Sequence, residues 1–124
     1  MKLSVLIAED DALVRATMNE ALEAASHVVH SVPDGKEAMS RITQTRYDVI
    51  ISDVGMAGMD GYQLMRKVRL AEAPTGRIPA IALTAFAHAE DRKRAILAGY
   101  QSHVAKPFDM AELVIVVAGL LGRT

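Results

Sequence analysis

The sequence predicts an α/β fold: a three-layer, doubly wound arrangement of five βα units around a five-stranded parallel sheet of order 2-1-3-4-5. Two observations predict it. Short apolar runs of strand length alternate along all 124 residues with longer amphipathic runs of helical period. Strands separated by helices pair in parallel and are covered on both faces, and right-handed crossovers leave few topologies.

The strands are expected at Leu3–Ala8, His27–Val32, Asp48–Ser52, Ala80–Thr84 and Ser102–Lys106. Asp11 is placed to cap a first helix running to about Ala25, with Leu13, Val14, Met18, Ala21 and Leu22 inward. Asp34 precedes a second over Gly35–Thr45, with Ala38, Met39 and Ile42 inward. Asp60 opens a third over Gly61–Ala71, with Leu64, Met65 and Val68 inward. A fourth runs from about His88 to Ala98 and stops at Gly99, in the position just past the helix end. Asp109 caps a fifth that runs to about Leu121 and is closed by Gly122. The whole chain, 1–124, reads as a single domain without linker, repeat or low-complexity segment.

Composition narrows the functions. Net charge is −1, which gives no broad electrostatic case for direct nucleic-acid or membrane binding. There is no cysteine, so disulfides and thiolate metal sites are excluded. No apolar run approaches the roughly 18 residues of a membrane span, and MKLSVLIAEDD is too acidic for a secretory signal. The expected location is cytoplasmic.

The polar residues fall at the carboxyl ends of the strands. Strand 1 is followed by Glu9-Asp10-Asp11, strand 3 by Asp53, strand 4 ends in Thr84-Ala85 and strand 5 in Lys106-Pro107. In an open parallel sheet these ends share one edge, and ligands bind where the strand order reverses. Glu9, Asp10 and Asp53 therefore crowd one crevice, and carboxylates crowded together repel. A divalent cation with a preference for oxygen, Mg²⁺ above all, relieves that repulsion, with the Gly55 carbonyl placed to add a ligand. Thr84 supplies a hydroxyl and Lys106 a compact ammonium. With Asp53 as nucleophile, the set outlines a pocket for a phosphoryl group.

These residues resemble the receiver domains of two-component response regulators, which share a flavodoxin-like fold. The likeness covers Leu3 to about Leu121 and rests on four pieces in order. They are the acidic pair, Asp53 with the loop Met56-Ala57-Gly58-Met59-Asp60-Gly61, Thr84-Ala85, and Lys106-Pro107-Phe108. The resemblance implies that Asp53 accepts a phosphoryl group from a histidine kinase or a histidine phosphotransfer protein. It implies Mg²⁺ (or Mn²⁺) on Asp10, Asp53 and the Gly55 backbone oxygen, with Glu9 helping through a water. It puts Thr84, Lys106 and the Ala85 N–H on phosphoryl oxygens, makes the Lys106–Pro107 peptide cis, and casts Thr84 and His103 as switch residues. The isolated domain is then no enzyme beyond its own phosphorylation and dephosphorylation. The segment RIPAIALTAFA…AGYQSHVAKPFD is similar to receivers fused to sensor kinases.

Five residues depart from the common pattern. Glu9 stands in place of the usual Asp, and Ala57 stands where many relatives have Pro. Gly55 and Phe86 hold the two variable positions flanking the site and offer an attacking water no side-chain hydrogen bond, so sterics at Phe86 are expected to govern phosphoryl lifetime. His103 takes the place of an aromatic switch residue.

Taken singly, these residues allow other readings. Each acid alone serves equally as a helix cap, Thr84 as a strand residue and Lys106 as a solvated charge. The run Arg92-Lys93-Arg94 reads as a solvated helix face. The fifth helix, DMAELVIVVAGLLG, is apolar all round. That points to an interface, with a second copy or a partner on helix 4, strand 5 and helix 5. An Asp-nucleophile phosphohydrolase wants a second acid two residues after Asp53, where this chain has Gly55. A flavodoxin-like carrier wants a phosphate-cradling loop after strand 1, where this chain has three acids.

Overall fold

The computed structural model describes residues 2–56, 58–85 and 89–121, and the side chains of all of these but residue 121. The expectations for Ala57, Phe86, His88 and Gly122 lie outside the described residues. Five parallel strands, β1 (Ser4–Ala8), β2 (Val28–Val32), β3 (Val49–Asp53), β4 (Ala80–Thr84) and β5 (Ser102–Ala105), form one sheet of order 2-1-3-4-5. Five helices follow them: α1 (Ala12–Ala24), α2 (Gly35–Gln44), α3 (Gly61–Leu70), α4 (Ala89–Ala98) and α5 (Met110–Leu121).

The two-residue period of a strand sends alternate side chains to opposite faces. Val5, Ile7, Ile51, Ile81 and Leu83 pack with Met18 and Leu22 of α1 and Leu113 and Val117 of α5. Leu6, Ala8, Ile50, Ala80 and Ala82 pack with Ala38 and Ile42 of α2, Leu64, Met65 and Val68 of α3, and Ala95 and Ala98 of α4. The central strands β3 and β4 are buried throughout, which is why each opens on a continuous apolar run, Val49–Ile51 and Ala80–Leu83.

Helix starts follow the aspartates. Asp11 accepts from the Leu13 and Val14 N–H groups, Asp34 from Glu37 N–H and Asp109 from Glu112 N–H. Asp60 and Gln63 form a reciprocal capping box. Gly99 ends α4 at φ +116°, a conformation that favours glycine. The Lys106–Pro107 peptide is cis, as is Ala73–Pro74.

Three readings need correcting. Leu13 was expected inward on α1 but is 76% exposed; Val14, Met18 and Leu22 carry the inward stripe, one step further round the helix. A short 3-10 turn, Thr75–Arg77, occupies the connection into β4, where no element was expected. Strand bounds differ by one residue from those expected: β1 and β2 start at Ser4 and Val28, β3 shifts to Val49–Asp53 so that Asp53 ends it rather than follows it, and β5 ends at Ala105 with Lys106 beyond. On α5, Leu113 and Val117 are buried, whereas Ile115 is 69% exposed, so the all-round apolar pattern leaves one large side chain in solvent.

Candidate functional site

Register builds the site. Ala8 of β1 lies opposite Ser52 of β3, so the next residues out, Glu9 and Asp53, emerge side by side. Asp53 pairs with Leu83 of β4, which brings Thr84 alongside. Thr84 pairs with Ala105 of β5, and Lys106 then donates its backbone N–H to the Thr84 carbonyl at 2.7 Å. Four strand ends, remote in sequence, thus deliver two acids, a hydroxyl and a lysine to one edge. The loop after Asp53 is held close by α3: a Cβ at Gly61 would stand 2.5 Å from the Asp53 carbonyl oxygen, so only glycine fits there.

Lys106 Nζ donates to Glu9 Oε1 at 2.7 Å and to Asp53 Oδ2 at 3.2 Å. Asp53 Oδ1 accepts from the Gly55 N–H at 3.0 Å. Burial, followed by the hydrogen bond with Asp53, pushes Glu9 up to about 7, against the pull of Lys106. Burial raises Asp53 too, but the hydrogen bonds from Glu9, the Gly55 N–H and Lys106 outweigh it and hold that carboxyl below the usual range. Burial works against the charge of Lys106, yet the two acids win and raise its pKa. Asp53 is thus the ionised member of the pair, the state a nucleophilic oxygen needs.

Glu9, Asp10 and Asp53 each offer a carboxylate oxygen, and these lie within 4.8 Å of one another. Glu9 and Asp53 are buried, whereas Asp10 faces solvent. Glu9 Oε2 is buried and has no hydrogen-bond partner among the described residues. A buried carboxyl oxygen left unpaired beside two more acids, its proton readily displaced by a cation, suits a hard divalent ion, so the donor set fits Mg²⁺.

Thr84 Oγ1 is likewise buried and without a partner among the described residues. It lines a cleft of about 280 Å³ together with Asp53, Gly55 and Ala85. His103 is half-buried on β5 opposite Ala82, two strands from Asp53. All the strand-end residues singled out from the sequence therefore meet at this edge, and His103 stands behind it.

The sequence did not mark the outer wall of the cleft, which is Asp60, Tyr62, Asp91 and Arg94. Arg94 lies over the Tyr62 ring, its guanidinium carbon 4.1 Å from the centroid. The reading of Arg92-Lys93-Arg94 as solvated holds for exposure but misses this placement. Beside Lys106, a largely apolar groove of about 450 Å³ is lined by Leu13, Val14, Phe108 and Met110.

Comparison with known proteins agrees with this arrangement. A family model described as the response regulator receiver domain matches residues 5–118. A 14.6 kDa protein encoded in the sodA1 3′ region of Leptolyngbya boryana is 38% identical over 117 residues, 94% of this chain and 88% of that one. The two-component response regulator PhoP of Pseudomonas aeruginosa is 34% identical over 122 residues, 98% of this chain and 53% of that one. This chain spans about half the length of that regulator and of several transcriptional regulators it also matches. The receiver domain of sensor histidine kinase PA1611 from Pseudomonas aeruginosa, solved with a magnesium ion in its active-site cleft, superposes with a TM-score of 0.88. It is 33% identical, with 98% of this chain and 99% of that one covered.

Proposed function

This chain belongs to the response regulator receiver family of two-component systems, and on that premise we propose that it is a phosphoacceptor whose Asp53 takes a phosphoryl group from a histidine kinase or a histidine phosphotransfer protein. The observation that carries the reading is the buried Asp53 carboxylate, with Lys106 at 3.2 Å and, in the same cleft, a Thr84 hydroxyl that has no partner among the described residues. An Asp53 oxygen forms the new bond to phosphorus as the bond to the donor breaks, and the donor's leaving group departs with the electron pair. Lys106 and Thr84 meet the charge on the phosphoryl oxygens, with the Ala85 N–H beside them. Glu9, Asp10, Asp53 and the Gly55 carbonyl are the groups that would hold Mg²⁺. When bound, the ion offsets charge on the carboxylates and phosphoryl oxygens.

The phosphoryl group carries about −1.5 to −2 charges and three acceptor oxygens. The Thr84 hydroxyl, without a partner among the described residues, is the group to answer them, and His103, one strand over, moves with it. The output face is α4, β5 and α5, where Ile96, Leu97 and Ile115 are exposed and suit a partner or a second copy. The groove beside Lys106 is where a phosphodonor protein would seat. The isolated domain catalyses only its own phosphorylation and dephosphorylation. The reading also places it in the cytoplasm, and no helix among the described residues is long and apolar enough to cross a membrane.

The test is mass measurement after incubation with acetyl phosphate and Mg²⁺. The unaltered chain is expected to gain one phosphoryl group and Asp53→Asn none; no gain in the unaltered chain, or equal gain in both, contradicts the proposal.

A further inference from the structure

Three acids line the cleft around the phosphoacceptor: Asp53, Asp60 and Asp91. A phosphoryl donor is itself an anion, so on charge alone this cleft repels what it must admit. Lys106 answers Asp53 from the β5 side. On the opposite wall, the one cation among the described lining residues is Arg94 of α4.

Arg94 is held in an unusual way for an exposed arginine. Its guanidinium lies over the buried Tyr62 ring at 4.1 Å, which removes water from one face and fixes the plane. Although Asp60 and Asp91 line the same cleft, Arg94 forms no ion pair with either among the described residues, so its N–H edges stay unengaged. Arg94 and Asp91 also line a second, adjoining cleft of about 580 Å³, together with Arg66, Lys93 and Glu90. That adjoining cleft carries three basic and two acidic side chains, and it shares Arg94 and Asp91 with the wall of the phosphoryl site.

We propose that Arg94 is a specificity-determining residue for phosphoryl transfer to Asp53, its Tyr62-mounted guanidinium drawing dianionic phosphoryl donors into the cleft. This deepens the phosphoacceptor reading and rests on it. The chemistry is unchanged: an Asp53 oxygen bonds to phosphorus, the phosphorus–oxygen bond to the acyl group breaks, and the carboxylate leaves with its electron pair. Arg94 acts before that step, on the capture of the donor.

The experiment follows phosphoryl uptake by mass against acetyl phosphate concentration for the unaltered chain, Arg94→Ala, Arg94→Lys and Arg92→Ala. Arg92 lies on the same exposed helix but does not line the cleft. Arg94→Ala is expected to raise the half-saturating concentration about three- to tenfold, with the maximal rate within about twofold. Arg94→Lys recovers most of the loss, and Arg92→Ala matches the unaltered chain. The gap closes in ~1 M salt, where the screening length falls to about 3 Å. With phosphoramidate, a monoanion near neutral pH, the shift is smaller. An unaltered chain that labels at Asp53 while Arg94→Ala saturates at the same concentration overturns the role of Arg94 alone. So does an equal loss in Arg92→Ala, or a gap indifferent to salt. A chain that takes no phosphoryl group overturns both this role and the reading beneath it.

Discussion

Thr84 closes β4 with its hydroxyl oxygen buried and without a partner among the described residues. A buried polar group left unsatisfied costs about 1–3 kcal/mol, whereas a methyl group of the same shape carries no such cost. Thr84→Val is therefore expected to raise stability by up to about 1 kcal/mol in urea unfolding, while slowing phosphoryl uptake from acetyl phosphate. A variant that is less stable and equally reactive would show that the hydroxyl serves the fold rather than the site. His27 makes the opposite kind of contribution. Its Nδ1 accepts the Leu3 N–H at 3.1 Å, and burial lowers its pKa below the ordinary histidine value. The unfolded chain therefore binds a proton at higher pH than the native one. The contribution of His27 is complete above about pH 6.5 and is lost as pH falls through the depressed folded value. Between about pH 8 and pH 5, the unaltered chain is expected to lose more stability than His27→Asn, which keeps an acceptor near Nδ1 and does not titrate. Equal losses would mean that His27 stays neutral throughout. At this scale Glu9, Asp10, Asp53, Thr84 and Lys106 were legible because each ends or follows an apolar run. Arg94 was not, since a basic run on an exposed helix carries no mark of which member leans over a ring on another helix.

Elements were legible where local chemistry sets their ends. Asp11, Asp34, Asp60 and Asp109 all cap the helices their positions suggested, because a cap needs only an N–H two or three residues on. Arg69 was not legible. From the end of α3 its guanidinium donates to the carbonyls of Gly76, Ile78 and Gly99 and to the Gln101 side chain. One planar group thus ties α3 to the 3-10 turn, the entry to β4 and the end of α4. Those partners lie 7 to 32 residues away, beyond any periodic pattern. Arg69→Ala leaves several carbonyls without a donor and is expected to cost roughly 2–3 kcal/mol in urea unfolding. Arg69→Lys should recover less than half of this, because one ammonium cannot span the same carbonyls. A loss below about 0.5 kcal/mol, the range of ordinary surface substitutions, would show that water replaces the network.

At the scale of the molecule, strands alternating with helices allowed only a few sheet orders, and the order found is the one that sets β1 and β3 side by side. That adjacency is what turns residues 9 and 53 into neighbours. The exposure of Leu13 was hidden because the phase of α1 against the sheet is set by α5, with which α1 packs on the same face. The account depends on the Asp53 side chain being the point at which phosphorus becomes attached. The most direct measurement is borohydride reduction of the chain after acetyl phosphate and Mg²⁺, followed by peptide mass mapping, since an acyl phosphate on an aspartate reduces to homoserine. Homoserine at position 53 alone is the expected result; homoserine at another aspartate, the five-carbon hydroxy analogue at a glutamate, or no reduced residue anywhere in a chain that carries phosphorus, would contradict it.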